Sequence, residues 1–150
     1  MLVPLLEFSK SLESLELFGG IRFCWHFLDN SLLLSVLPVQ TEHDRILLCK
    51  KLKDVQGMHR LCLQSHRRTA FARALRVRGP FLLHCHCGCL ELAVPWFPEN
   101  RFAGILFAGA FSDVSAAGYS EFRKERSLLP VMEEERLLAL GTFLEEMMAR

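Results

Sequence analysis

The sequence predicts an α+β fold: a five-stranded antiparallel sheet with flanking helices and a long C-terminal helix. Three observations lead there. Strand-like apolar runs lie toward both ends of the chain and bracket a helix-periodic centre. Turn signals separate the runs at Asp29-Asn30, Gly79-Pro80 and Glu99-Asn100-Arg101. The composition is 51% hydrophobic, with twelve Phe against one Tyr, which supplies an apolar interior and excludes general disorder. At 150 residues the chain is most simply one domain, long enough to bury a core without staples.

In order, Leu2, Leu5, Leu6, Leu12, Leu15 and Leu17 stand among Glu, Lys and Ser, the pattern of an amphipathic helix over 2–17 that ends at Gly19-Gly20. Ile21–Phe27 and Ser31–Val39 flank Asp29-Asn30 and read as a hairpin. His43–Lys53 and Leu61–Val77 have helical spacing, and Gly79-Pro80 stops the second. Phe81–Cys87, Leu90–Phe97 and Phe102–Phe111 then read as strands. Pro95 interrupts the middle one, and Gly104 and Gly109 mark a bulge or a close approach in the last. Ala116–Arg126 reads as a short helix. Pro130 suits the first position of a helix running to about Met148.

The net charge of +1 is uneven. His43–Arg78 holds ten Lys/Arg against two Asp/Glu, and Val131–Arg150 holds five Glu against two Arg. The basic stretch reads first as a solvated helix face. No apolar run of about 18 residues appears, so no membrane helix is expected. The N-terminus does not read as a signal peptide, and reduced thiols in the cytoplasm are the expectation for the six cysteines.

Three of those cysteines fall in Leu83-His84-Cys85-His86-Cys87-Gly88-Cys89. In an extended strand Cys85, Cys87 and Cys89 line one face and His84 and His86 the other. Cys49 and Cys62 precede them on the helices. This chemistry suits a ligand pocket, a metal site holding Zn²⁺ or an iron–sulfur cluster, a redox sensor, or a cluster of buried thiols. In the first strand, Phe23, Trp25 and Phe27 alternate with Cys24 and His26, and one of these sets is expected to wall a cavity, against the plainer reading of core packing by aromatics.

These elements together resemble the PocR sensory domain. The resemblance is carried by Cys49 and Cys62, by Cys85-His86-Cys87-Gly88, by the run Leu90-Glu91-Leu92-Ala93-Val94-Pro95, and by Gly104 and Gly109 in the last strand. It spans about residues 21–114. It implies a PAS-like variant with five antiparallel strands, binding of a small organic molecule, and no enzymatic activity. Propanediol-type compounds are expected for the name-giving member. The family is often fused to AraC-type DNA-binding regions or histidine kinases. Three positions depart from its pattern. His66 follows Ser65 where Asp is usual, Cys89 stands where Leu is usual, and Ala110 replaces Gln. Exchanging a carboxylate and an amide for an imidazole and a thiol makes a more apolar, thiophilic or metal-associated ligand more plausible.

The expectation is a single sensory domain over 1–150, with a core of about 21–114 and a signalling or dimerising helix of about 130–148. Leu137, Leu140, Leu144 and Met147 offer the seam on that helix, against the plainer reading of a helix packed on its own sheet. The domain senses a small molecule in a signalling or transcription-regulatory system, acts as a homodimer, and reaches DNA only through a fused or partner domain. Cys49, Cys62, Cys85, His86 and Cys87 form the expected pocket, with Trp25 and Phe107 as apolar walls. The alternative is a metal or redox module using Cys49, Cys62 and Cys85. No P-loop, dinucleotide fingerprint or nucleophile elbow is present, and Cys85 and His86 point to opposite faces of a strand, so an enzyme is not expected.

Overall fold

The sheet forms where the chain is richest in aromatic and aliphatic residues. In the computed structural model, which describes residues 2–29, 46–113 and 122–150, four antiparallel strands lie in the order β1-β4-β3-β2. They are β1 (Phe23–Phe27), β2 (Phe81–His84), β3 (Leu90–Trp96) and β4 (Gly104–Phe111). The helices are α1 (Leu2–Gly19), α2 (Leu47–Lys53), α3 (Met58–Leu63), α4 (Ala70–Val77), α5 (Arg123–Ser127) and α6 (Glu134–Met148). The α+β architecture stands. The strand expected over 31–39 lies outside the described residues, so the sheet has four strands among them.

Every residue of β1, β3 and β4 is buried, which requires cover on both faces. Alternation sorts the side chains. Phe23, Trp25, Phe27, Leu92, Val94 and Leu106 face Phe8 and Leu12 of α1 and Leu137 and Leu144 of α6. Cys24, Ala93, Ile105 and Phe107 face Ala70 and Ala74 of α4. Helices therefore cover both faces. A third cluster, with Leu48 and Leu52 of α2, Cys87, Cys89, Ala110 and Leu129, closes the end of the sheet near β2 and β4.

Three boundaries differ from the sequence reading. β2 stops at His84, not Cys87. The α6 helix starts at Glu134, because Pro130 accepts the Ser112 N–H at 2.9 Å and stays extended beside the end of β4. Pro95 does not interrupt β3. Partner β2 pairs only with Leu90–Ala93, so β3 is an edge at Pro95, where proline's missing N–H costs no ladder bond. On α6, Leu137 and Leu144 are spent on the core, with Leu140 and Met147 packed beside them. This is the helix-on-its-own-sheet arrangement.

Candidate functional site

The helical backbone from Met58 to Val77 is continuous but not uniform. Its middle six residues, Gln64–Thr69, are π-helical. A π segment is wider than an α-helix and is frequent at functional sites. It carries Ser65 and His66, and it turns His66 inward while Arg67 and Arg68 stay nearer solvent. The His66 Nδ1–H donates to the Cys62 carbonyl at 2.9 Å. On the other side of the ring, Nε2 lies 2.5 Å from Oε2 of Glu91. The two side chains are 7% and 1% exposed.

Glu91 is the single carboxylate in the apolar strand LELAVPW. Pairing of β3 with β4 shifts register between Leu90 and Leu92, so Glu91 sits at a bulge, a device that re-aims side chains. Gly109 of β4 makes room for it: a Cβ there would stand 3.1 Å from Glu91 Cγ. Because Nδ1 must donate to a carbonyl, a single proton is shared between Nε2 and the carboxyl. Burial pulls the His66 pKa down, but the Glu91 charge and hydrogen bond outweigh it and raise it. The raised value favours imidazolium facing carboxylate. His26 of β1 stacks on His66 at 5.5 Å, and Phe107 meets both rings edge-on.

After β2 the chain enters a hairpin turn. The Cys85 N–H donates to the Cys89 carbonyl at 3.0 Å and the Gly88 N–H to the Cys85 carbonyl at 2.9 Å. Gly88 has φ 77°, the left-handed conformation that glycine tolerates. The three sulfurs share a face, as alternation predicts, but through a turn and not a strand. Cys85 Sγ lies 2.9 Å from Cys87 Sγ, and Cys87 Sγ 3.5 Å from Cys89 Sγ. Contacts with Cys85 and then Cys89 hold the Cys87 thiol down to about 3. Its Cys87 contact pushes Cys85 well above the usual thiol range. For Cys89 the Cys85 contact lowers the value, but the Cys87 contact and burial raise it to about 12. One shared thiolate between two thiols is the consistent picture. Arg126 of α5 braces the turn, with Nη2 donating to the Cys87 carbonyl at 2.7 Å and Nη1 lying 3.9 Å from Cys89 Sγ.

Between sheet and helices lies a cavity of about 30 Å³ lined by His26, Cys49, Cys62, His66, Cys85, His86, Cys87 and Glu91, with Leu52 and Leu63 as apolar wall. Larger clefts exist, one of about 480 Å³ beside Trp96, Phe97 and the end of α6. That cleft lacks convergent buried polar groups, so the small cavity is the better candidate. Of the residues singled out from sequence, Cys49, Cys62, Cys85, His86 and Cys87 meet at this cavity. Cys62 Sγ contacts His86 Nε2 at 3.1 Å, and burial raises Cys62 to about 11 while lowering His86. Burial likewise pushes Cys49 far up. Phe107 stands behind His26 and His66. Trp25 does not join: it is fully buried on the opposite face, stacked on Phe27 at 5.0 Å. Alternation along β1 puts Cys24 and His26, not Trp25, on the cavity side. His84 is also apart, bonded to Asp113 at 2.6 Å.

Sequence reasoning missed Glu91, named His26 only in one of two alternating β1 sets, and met His66 only as a departure from a pattern. A lone carboxylate in an apolar strand was the available signal for Glu91. The three-sulfur group that geometry brings together is Cys85, Cys87 and Cys89, within 4.8 Å of one another, not Cys49, Cys62 and Cys85.

The sequence model of a family described as the sensory domain found in PocR matches residues 38–145. The chain belongs to the PocR sensory-domain family. No curated protein and no solved structure matches it. The PocR match begins after β1 and runs into α6, so it covers the hairpin, the π segment and Glu91 but not His26. Among the described residues no helix is long and apolar enough to cross a membrane.

Proposed function

We propose that this PocR domain binds a small organic molecule in the cavity between the sheet and the α2–α4 helices. The observation that carries this reading is the buried His66–Glu91 pair on the cavity wall. A charged pair this dry is costly to bury; both His66 N–H groups are spent on Cys62 and Glu91, and the Glu91 carboxylate is the acceptor it offers to a ligand hydroxyl or amine. Cys49, Cys62, Cys85, His86 and Cys87 complete the lining, and Phe107 is an apolar backing rather than a direct wall. The role is binding, not catalysis.

A void of 30 Å³ holds one or two waters. A short-chain alcohol, diol or aldehyde needs more room, so binding displaces a wall. The α3 helix is the wall that moves, because none of its residues is fully buried. Ligand binding then shifts the population of two α3 positions, which is how the domain signals. The domain works in the cytoplasm within a transcription-regulatory or signalling system, as a homodimer, and DNA contact comes from a fused or partner domain.

A thermal-shift screen of diols, short alcohols, aldehydes and amines, followed by calorimetry, tests the reading. A stabilising hit that is lost in Glu91→Gln supports it. A flat screen, or a hit untouched by Glu91→Gln and His66→Asn, overturns it.

A further inference from the structure

The sulfur cluster at the hairpin turn has a use that organic-ligand binding does not require. From the convergence of Cys85, Cys87 and Cys89 beside Arg126 we infer that the turn is a three-sulfur site for a thiophilic d10 cation. The three Sγ atoms lie within 4.8 Å of one another, with contacts of 2.9 and 3.5 Å. A metal with M–S bonds of about 2.3 Å sets its sulfurs roughly 3.8 Å apart, so small rotations of these side chains bring all three into coordination. All three come from one five-residue turn closed by two backbone hydrogen bonds, so the donor set is preorganised. The surroundings suit softness over hardness: Cys87 and Cys89 are buried among Leu48, Leu52, Ala110 and Leu129.

Charge is the second argument. Binding releases the thiol protons to solvent and leaves three thiolates on one cation, an anionic group. Arg126 stands against it, 3.9 Å from Cys89 Sγ, and its Nε–H is buried with no hydrogen-bond partner among the described residues. Cu(I) is satisfied by three sulfurs. Zn(II) requires a fourth ligand, and Cys49, packed against the same cluster though outside the 4.8 Å group, is the sulfur assigned to that place. No change of oxidation state is involved. The site stands independently of the organic ligand, although Cys85 and Cys87 also border that cavity.

The test is anaerobic titration of the reduced protein with Cu(I) and with Zn(II), each against a chromophoric chelator, with X-ray absorption on the loaded protein. One ion per chain, a sulfur-only first shell, and at least a tenfold loss of affinity in both Cys87→Ser and Cys89→Ser support the site. Cys24→Ala, remote on β1, should bind as the parent does. Zn(II) binding, but not Cu(I) binding, should weaken in Cys49→Ser. A chelator that retains both metals, a nitrogen- or oxygen-dominated shell, or undiminished binding by folded Cys87→Ser and Cys89→Ser overturns it. Should either serine variant fail to fold, the shell of the loaded parent decides.

Discussion

His66 Nε2 and Glu91 Oε2 meet at 2.5 Å across the interface between the π-helical segment and β3, with both side chains removed from water. The contact ties a helix to the central sheet on the wall of the cavity. Removing one partner leaves the other charge buried and unpaired, which costs about 3–5 kcal/mol. Glu91→Ala should therefore lose roughly 3 kcal/mol in urea unfolding at neutral pH. In a double-mutant cycle, the variant lacking both groups should lose less than the sum of the single losses.

The same pair gives a pH dependence. The folded pKa of His66 is raised, so the native state holds its proton more tightly than the unfolded chain does. Its stabilisation is fully present below the unfolded value of about 6.5 and fades as pH rises through the folded value. The difference in unfolding free energy between the parent and His66→Asn should shrink across that window, by at most about 1.4 kcal/mol per pH unit. A difference that grows with pH would contradict the imidazolium–carboxylate assignment.

Gly104 lets β4 approach β1 so closely that a Cβ would stand 2.5 Å from the His26 carbonyl oxygen and 2.9 Å from Phe27 Cα. Backbone on both sides cannot give way cheaply. Gly104→Ala should lower stability by about 1–3 kcal/mol, and broaden the His26 and Phe107 resonances in an NMR spectrum, because β1 must shift.

Leu17 and Phe18 at the end of α1 are 83% and 89% exposed, and Phe143 on α6 is 49% exposed. With the inner stripe of α6 spent on the core, Phe18 and Phe143, which line one groove between α1 and α6, form an apolar patch for the proposed homodimer to bury. Sedimentation at tens of micromolar should find a dimer that Phe18→Glu converts to monomer. A monomeric parent would remove dimerisation from the functional reading.

Much of this arrangement was legible in the chain. The dense Cys85-His86-Cys87 run stands out by residue type, the family resemblance joins Cys49 and Cys62 to it, and the alternation of β1 correctly separates Trp25 from His26. Alternation alone does not say which face carries the cavity, and the bulkier Trp25 drew the assignment. The C-H-C-G-C turn was misread because its alternation is strand-like, while the two backbone hydrogen bonds that fold it leave no trace in side-chain pattern. Helical periodicity likewise located the helix over 61–77 but not its widened middle, since that depends on backbone pairing. Glu91 was in view in the apolar run, but its partner stands 25 residues earlier in the chain, and only the packing of the helix on the sheet joins them.

The π-helical stretch holds one residue per turn more than an α-helix does. Deleting a single position between Gln64 and Thr69 is then the smallest genetic change able to regularise the helix. Ala70 and Ala74 are fixed against the sheet, and the wide turn absorbs the extra residue, so the healed helix would keep α3 in phase and re-aim only the side chains within the segment, His66 among them. A shortened relative would keep the scaffold and lose the sensor, and the length of this one segment, more than the identity of any residue in it, would separate the two.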